Sequence, residues 1–258
     1  TVLFTRLSHR ISRETVFYVI LSTFIGYFFL FAFLLYPNRD TLHPNEFSDS
    51  LQAILPLGCK GLIAMVRNWT FTLFYVMSEL WGNIVLFVLF WGFANQVTKL
   101  KEAKRFYGLF GIGANLSGIF AGQVSVYLTK NLQHNSFFWG ADAWEQSMML
   151  LVSLVVASGI LAQMLFRWLN KHVLTRPEFY NPEDVKGQKE LKGKLSLRDS
   201  FSYLLNSKYL IFITVIVVAY NVAINLVEVV WKDQLKALYP DPAQYNIYIN
   251  QVSSLIGV

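Results

Sequence analysis

Tyr209-Leu-Ile-Phe-Ile-Thr-Val-Ile-Val-Val-Ala-Tyr-Asn-Val-Ala-Ile-Asn-Leu-Val-Glu-Val-Val-Trp231 is a run of 23 residues with a single charge, Glu228. A hydrocarbon layer ~30 Å thick is crossed by about 20 helical residues rising ~1.5 Å each. This run therefore reads as a membrane-spanning helix, and the rest of the chain repeats the pattern. Thr15 to Tyr36 forms a first span, closed by Pro37. Trp69 to about Ala94 forms a second, framed by the interfacial aromatics Trp69 and Trp91; Phe106 to Leu128 forms a third and Gln146 to Phe166 a fourth. With Tyr209 to Trp231 as the fifth, a sixth is predicted to begin near Tyr248. Leu51 to Val66 is apolar but holds only 16 residues, among them Pro56 and Lys60, so an interfacial or re-entrant helix is expected there.

Composition points the same way. Of the 258 residues, 54% are hydrophobic, 16% aromatic and only 15% charged, with a mean hydropathy of +0.40, where a soluble domain carries about 25% charged residues. The fold class is all-α and polytopic. The chain opens at Thr1 without Met and stops at Val258 inside an apolar run, so a fragment of a longer protein is expected.

The net charge of +6 is informative through its distribution. With the N-terminal lead-in placed in the cytoplasm, the cytoplasmic segments hold sixteen of the 22 basic residues: Arg6, Arg10 and Arg13, then Lys99, Lys101, Lys104 and Arg105, then nine from Arg167 through Lys208. The opposite side keeps Arg39, Lys60, Arg67, Lys130, Lys232 and Lys236, while the loop acids divide equally. An excess of Lys and Arg on one side, with no matching acidic bias, is the positive-inside signature of membrane insertion; it is not a nucleic-acid groove. The longest polar segment, Asn170 to Ser200, is read as a central cytoplasmic loop, dividing residues 1–169, the end of a first helical half, from residues 201–258, the start of a second. On that reading two helices precede Thr1 and about four follow Val258.

A lone Cys59 and four scattered His exclude a disulfide framework and a thiolate or histidine metal site, so neither metal nor cofactor is expected. Gly108, Gly111, Gly113, Gly118 and Gly122 match neither glycine-rich phosphate-binding pattern; Gly118 and Gly122 form a small-xxx-small pair suited to close helix packing. With no nucleophile–base pair visible, an enzyme is not expected.

Ionisable groups inside a span each cost several kcal/mol unless paired or wetted. Glu79 stands mid-way along the second span with Ser78, Gly82 and Asn83 beside it. It is either a carboxylate paired with a base from another helix or the lining of a water-filled substrate path. In the fifth span Thr214, Asn221, Asn225, Glu228 and Lys232 are spaced by 7, 4, 3 and 4 residues, which at ~100° per residue puts them on one narrow face. Two amides there can read a base edge or ribose and Lys232 can meet phosphate; interhelical hydrogen bonding by Asn is the plainer alternative. Arg67, before the second span, is a further candidate cation.

Arg67-Asn-Trp-Thr-Phe71, Tyr75-Val-Met-Ser-Glu-Leu-Trp-Gly82, Phe90-Trp-Gly-Phe-Ala-Asn95, Glu102-Ala-Lys-Arg-Phe-Tyr107 and Ile224-Asn-Leu-Val-Glu-Val-Val-Trp-Lys232 resemble the non-mitochondrial ATP/ADP translocases of plastids and intracellular bacteria, in order and spacing, over essentially the whole chain. The resemblance implies about twelve helices in a major-facilitator-like bundle, a nucleotide substrate, and a bacterial inner membrane or plastid inner envelope as the location. It implies transport roles for the carboxylates matched by Glu79 and Glu228. It also admits relatives that import nucleotides with protons or carry NAD, and Asn221 and Val230 stand where the exchangers carry Gly and Thr. The expected partners are nucleotide and lipid, without nucleic acid, in a monomer.

Overall fold

A computed structural model describes residues 13–98, 100–132, 143–175 and 206–256. Arg6, Arg10 and Lys99, with positions 176–205 of the central loop, lie outside the described residues.

Every regular element among the described residues is helical. Helix α1, Arg13–Leu30, continues through a π-helical turn, Phe31–Leu35; α2, Arg39–Leu42, α3, Asn45–Ile54, and α4, Lys60–Arg67, follow. Helix α5, Trp69–Trp81, widens into a π-helical stretch, Gly82–Phe90, before α6, Trp91–Val97. Then come α7, Leu100–Leu132; α8, Ala143–Trp168, with its own π-helical end Leu169–Val173; α9, Lys208–Leu238; and α10, Pro242–Ile256. Five helical segments are long and apolar enough to cross a bilayer: Glu14–Leu35, Trp69–Asn95, Arg105–Asn131, Ala143–Val173 and Lys208–Leu238. They coincide with the five predicted spans, and the chain is an all-α polytopic membrane protein.

Two expectations are corrected. The apolar stretch from Leu51 to Val66 is not one helix. Leu55 and Pro56 are extended, and a single 3-10 turn, Leu57–Cys59, leads into α4. Proline lacks the amide hydrogen a helix needs and disfavours helical geometry in the residue before it, so α3 must stop at Ile54. The sixth helix begins at Pro242, six residues ahead of Tyr248. Its start is set by capping: the Asp241 carboxylate accepts from Ala243 N at 3.4 Å and Gln244 N at 3.3 Å, and Pro242 occupies the first helical position, where its missing N–H costs nothing.

Contacts divide the chain into two units, Thr1–Ala114 with Tyr127–Asn181, and Asn115–Val126 with Pro182–Val258. In the first, α1, α5 and α8 form a bundle around Phe24, Phe28, Ala32 and Val152, against which Phe74, Met77, Trp81 and Met148 pack. Phe31, Leu35 and Tyr36 extend that core toward Trp69. Gly159 is where α8 comes closest, since a Cβ there would lie 2.8 Å from Ile25 Cγ1 and 3.5 Å from the Trp81 ring. In the second unit, the Asn115–Val126 part of α7 meets α10 along a seam of small and amide side chains. Asn246 Nδ2 donates to Ser125 Oγ at 3.1 Å, and a Cβ on Gly122 would sit 3.0 Å from Asn250 O and collide with the Ser254 hydroxyl. Gly122 thus makes the close approach expected of the small-xxx-small pair, whereas Gly118 has open space beside it.

Candidate functional site

Helix α9 is continuous from Lys208 to Leu238, so the predicted face of Thr214, Asn221, Asn225, Glu228 and Lys232 stands on a single unbroken helix. The Lys232 Nζ is 2.6 Å from Glu228 Oε1, a charge-assisted contact one turn apart. Asn221 Nδ2 donates to Val217 O at 2.7 Å and Asn225 Nδ2 to Asn221 O at 2.8 Å, so each amide bonds back onto its own helix through one N–H and retains a carbonyl oxygen and a second N–H. Thr214 does the same to Leu210 O at 2.8 Å. Of the residues of α9, only Leu235 is buried. The grooves beside the polar face are lined by α9 alone, one by Tyr220, Ile224, Glu228 and Trp231 and the other by Val217, Asn221, Asn225 and Val229. These side chains form an open face on a single helix.

Glu79 lies on α5 on an exposed face, and no described cation stands within 4.0 Å of it. The helix changes winding immediately after it: Gly82 N–H reaches both Ser78 O and Glu79 O, and the π-helical stretch begins. Asn83 Nδ2 donates to Glu79 O at 2.9 Å, giving an extra donor to a backbone carbonyl at that junction, while Ser78 Oγ bonds Phe74 O at 2.8 Å. Wide turns of this kind recur at functional positions because they re-aim side chains within a helix. The sequence gives no sign of this one.

Arg67 ion-pairs with Asp49 of α3. Its charge is shared with that carboxylate, so as a candidate cation it has a competitor that sequence reasoning did not supply. The structure also reveals a polar cluster that sequence reasoning counted only as loop charge. Glu145, buried in the first turn of α8, faces the Arg39 guanidinium at 3.8 Å, which in turn lies over the Tyr36 ring at 4.4 Å and donates to Tyr36 O at 2.9 Å. Nearby, His43 is 2.7 Å from Thr70 Oγ1 and Trp69 Nε1 donates to Leu42 O at 2.9 Å, fastening the α1–α5 connection. Among the described residues no three His, Cys, Asp or Glu side chains gather as metal ligands.

Carboxylates and an amide face on bilayer-length helices define the class: a multi-pass membrane protein with polar groups placed along its spans. The chain belongs to the TLC ATP/ADP transporter family, whose model matches residues 1–258. It is 46% identical over 258 residues to ADP,ATP carrier protein 1 of Chlamydia pneumoniae, covering all of this chain and 50% of that protein. It is 42% identical over 257 residues to the chloroplastic ADP,ATP carrier protein 1 of Arabidopsis thaliana, covering 40% of that protein, and 41% identical over 265 residues to ADP,ATP carrier protein 1 of Rickettsia bellii (strain RML369-C). The chain spans about half the length of the curated relatives it matches. No solved structure matches it.

Proposed function

We propose that this chain is part of a carrier that exchanges ATP for ADP across a bacterial inner membrane or plastid inner envelope by alternating access, within a major-facilitator-like bundle. The observation that carries the reading is the α9 face, where two amides and an ion-paired lysine line one side of a bilayer-length helix in a family of ATP/ADP transporters. A nucleoside di- or triphosphate brings about three to four negative charges whose desolvation must be offset by cations and directional donors. Lys232 supplies one, Asn221 and Asn225 supply amide contacts for base or ribose, and Arg67 supplies another cation if Asp49 releases it. Carboxylates repel phosphate, so Glu228 acts by holding Lys232 in position until a phosphate replaces it, and Glu79 by pairing with a cation of a facing helix or gating the path. Parts of the full-length carrier beyond this chain supply the remaining charge.

Uptake of labelled ATP into proteoliposomes, with and without ADP preloaded inside, tests the reading on the full-length carrier. Exchange predicts uptake that depends on internal ADP. Uptake driven equally well by a proton gradient with no internal nucleotide would replace exchange with proton-coupled import, and a failure to carry any nucleotide would remove the substrate class.

A further inference from the structure

A second polar site lies in the first unit, between the N-terminal end of α1 and the C-terminal end of α8. The two helices run antiparallel there and are joined by aromatic packing, with Phe17 stacked on Phe166 at 3.8 Å between ring centroids and Tyr18 edge-on to Phe166 at 5.5 Å. One turn deeper, Gln163 Nε2 donates to Ser22 Oγ at 2.8 Å and closes the floor. Above that floor is a cleft of about 490 Å³ lined by Glu14, Tyr18, Ile160, Gln163, Met164 and Arg167. Its charges are opposite, yet among the described residues Glu14 and Arg167 form no ion pair with each other. The Tyr18 hydroxyl is buried beside the Glu14 carboxylate. An anion subsite, a cation subsite and a buried hydroxyl thus share one opening.

The surroundings say where that opening faces. Met164, Leu165 and Trp168 are 63%, 53% and 54% exposed; Glu14 opens the first bilayer-length segment, and Arg167 and Trp168 lie in the last two turns of the fourth, Ala143–Val173. An exposed Trp in the closing turns of a span, with apolar side chains toward its middle and charges toward its end, is the profile of the headgroup layer.

We propose that this cleft binds an ethanolamine phospholipid. The phosphate sits on the Arg167 guanidinium, the ammonium on the Glu14 carboxylate, and an acyl chain runs along Ile160 and Met164. Charge complementarity selects the headgroup. A purely anionic lipid satisfies Arg167 and leaves Glu14 facing like charge. A choline lipid carries a quaternary nitrogen with no N–H for Glu14 or Tyr18 to accept, whereas a primary ammonium donates up to three hydrogen bonds. The inference is independent of the transport assignment, since it concerns a different face of a different unit.

The test uses the full-length carrier purified in detergent and supplemented with phosphatidylethanolamine, phosphatidylcholine or phosphatidylglycerol of identical acyl chains. Melting temperature and lipid adducts in native mass spectrometry are the readouts. Phosphatidylethanolamine is expected to give the largest thermal shift and the most retained adduct, and soluble phosphoethanolamine none, because it lacks the chain that Ile160 and Met164 hold. Arg167→Gln and Glu14→Gln should each weaken ethanolamine-lipid binding about tenfold or more, the effect of losing one charge-assisted contact. Arg167→Lys, which keeps the charge, should retain the preference even if a Gln variant proves unstable. Equal stabilisation by phosphatidylglycerol, or a preference that survives both Gln substitutions, would overturn the site. An equal shift with soluble phosphoethanolamine would show a free headgroup ligand and overturn the lipid assignment.

Discussion

Glu79 is costly because of where it stands: mid-span, on an exposed face, with no described cation within 4.0 Å. An ionised carboxylate in that position costs several kcal/mol unless water or a cation reaches it. Glu79→Gln keeps the shape and hydrogen-bonding atoms but removes the charge, so membrane insertion should be normal while nucleotide uptake is lost. Wild-type uptake by this variant would make Glu79 a structural group only. On α9, a bound nucleotide that uses the free carbonyl or second N–H of Asn225 loses a buried partner on truncation, worth about 1–3 kcal/mol or roughly 5- to 150-fold in affinity. Asn225→Ala should therefore weaken nucleotide binding well beyond assay error, while Ile216→Ala, on the opposite side of the same helix, should leave it within about twofold. Comparable losses in both would place substrate contact elsewhere. These candidates were legible in the sequence because polar atoms inside a bilayer-length run are few and helical spacing gathers them. The engagement of Arg67 by Asp49, and of Arg39 by Glu145, was not legible, because each depends on how separate helices meet in space.

At the scale of the element, length and apolarity located all five spans, because a bilayer imposes one dimension on every crossing helix. Where local chemistry sets the boundary, hydropathy misplaced it. The Asp241 cap with Pro242 starts α10 ahead of its apolar part, and Pro56 splits the connection between the first two spans. The π-helical stretch at Gly82–Phe90 left no signal in residue type, since its side chains are as apolar as those of an ordinary span. Glycine spacing gave two candidates for the α7–α10 seam and could not tell them apart; packing does. Gly122→Val must push into Asn250 O and Ser254, and overpacking of this kind costs about 1–3 kcal/mol. Gly118→Ala meets nothing within 4 Å and gains up to about 1 kcal/mol of helix propensity. Thermal unfolding of the purified protein should show a lower melting temperature for Gly122→Val and an unchanged or higher one for Gly118→Ala. A melting temperature for Gly122→Val equal to that of the parent protein would mean that α10 does not pack against Gly122.

At the scale of the whole chain, the distribution of charge predicts which way it crosses the membrane. Five spans alternate sides, so assigning one loop assigns all of them, and sixteen of the 22 basic residues then fall together. Lys and Arg resist translocation, whereas Asp and Glu, divided equally between the two sides here, contribute little to orientation. The positive-inside rule therefore predicts that the connection between the second and third spans and the segment following the fourth are cytoplasmic, or stromal in a plastid, and that the α2–α4 connection faces the opposite side. The 258 residues hold one cysteine, Cys59, which makes this measurable: with Cys59 and any cysteine in the rest of the carrier replaced by Ser, one introduced cysteine at a time reports one loop. Thr98→Cys and Gln188→Cys should be protected from a membrane-impermeant maleimide added outside intact cells and should react once the membrane is opened. Asp40→Cys, exposed in the α2–α4 connection, should react without opening. A polybasic lead-in drawn to the cytoplasmic leaflet stabilises the same orientation, so neutralising Arg6, Arg10 and Arg13 together should raise the fraction of molecules in which Thr98→Cys is labelled from outside. Strong outside labelling of Thr98→Cys with the lead-in intact, alongside protection of Asp40→Cys, would invert the topology and move Lys232 from the outer end of its span to the cytoplasmic end.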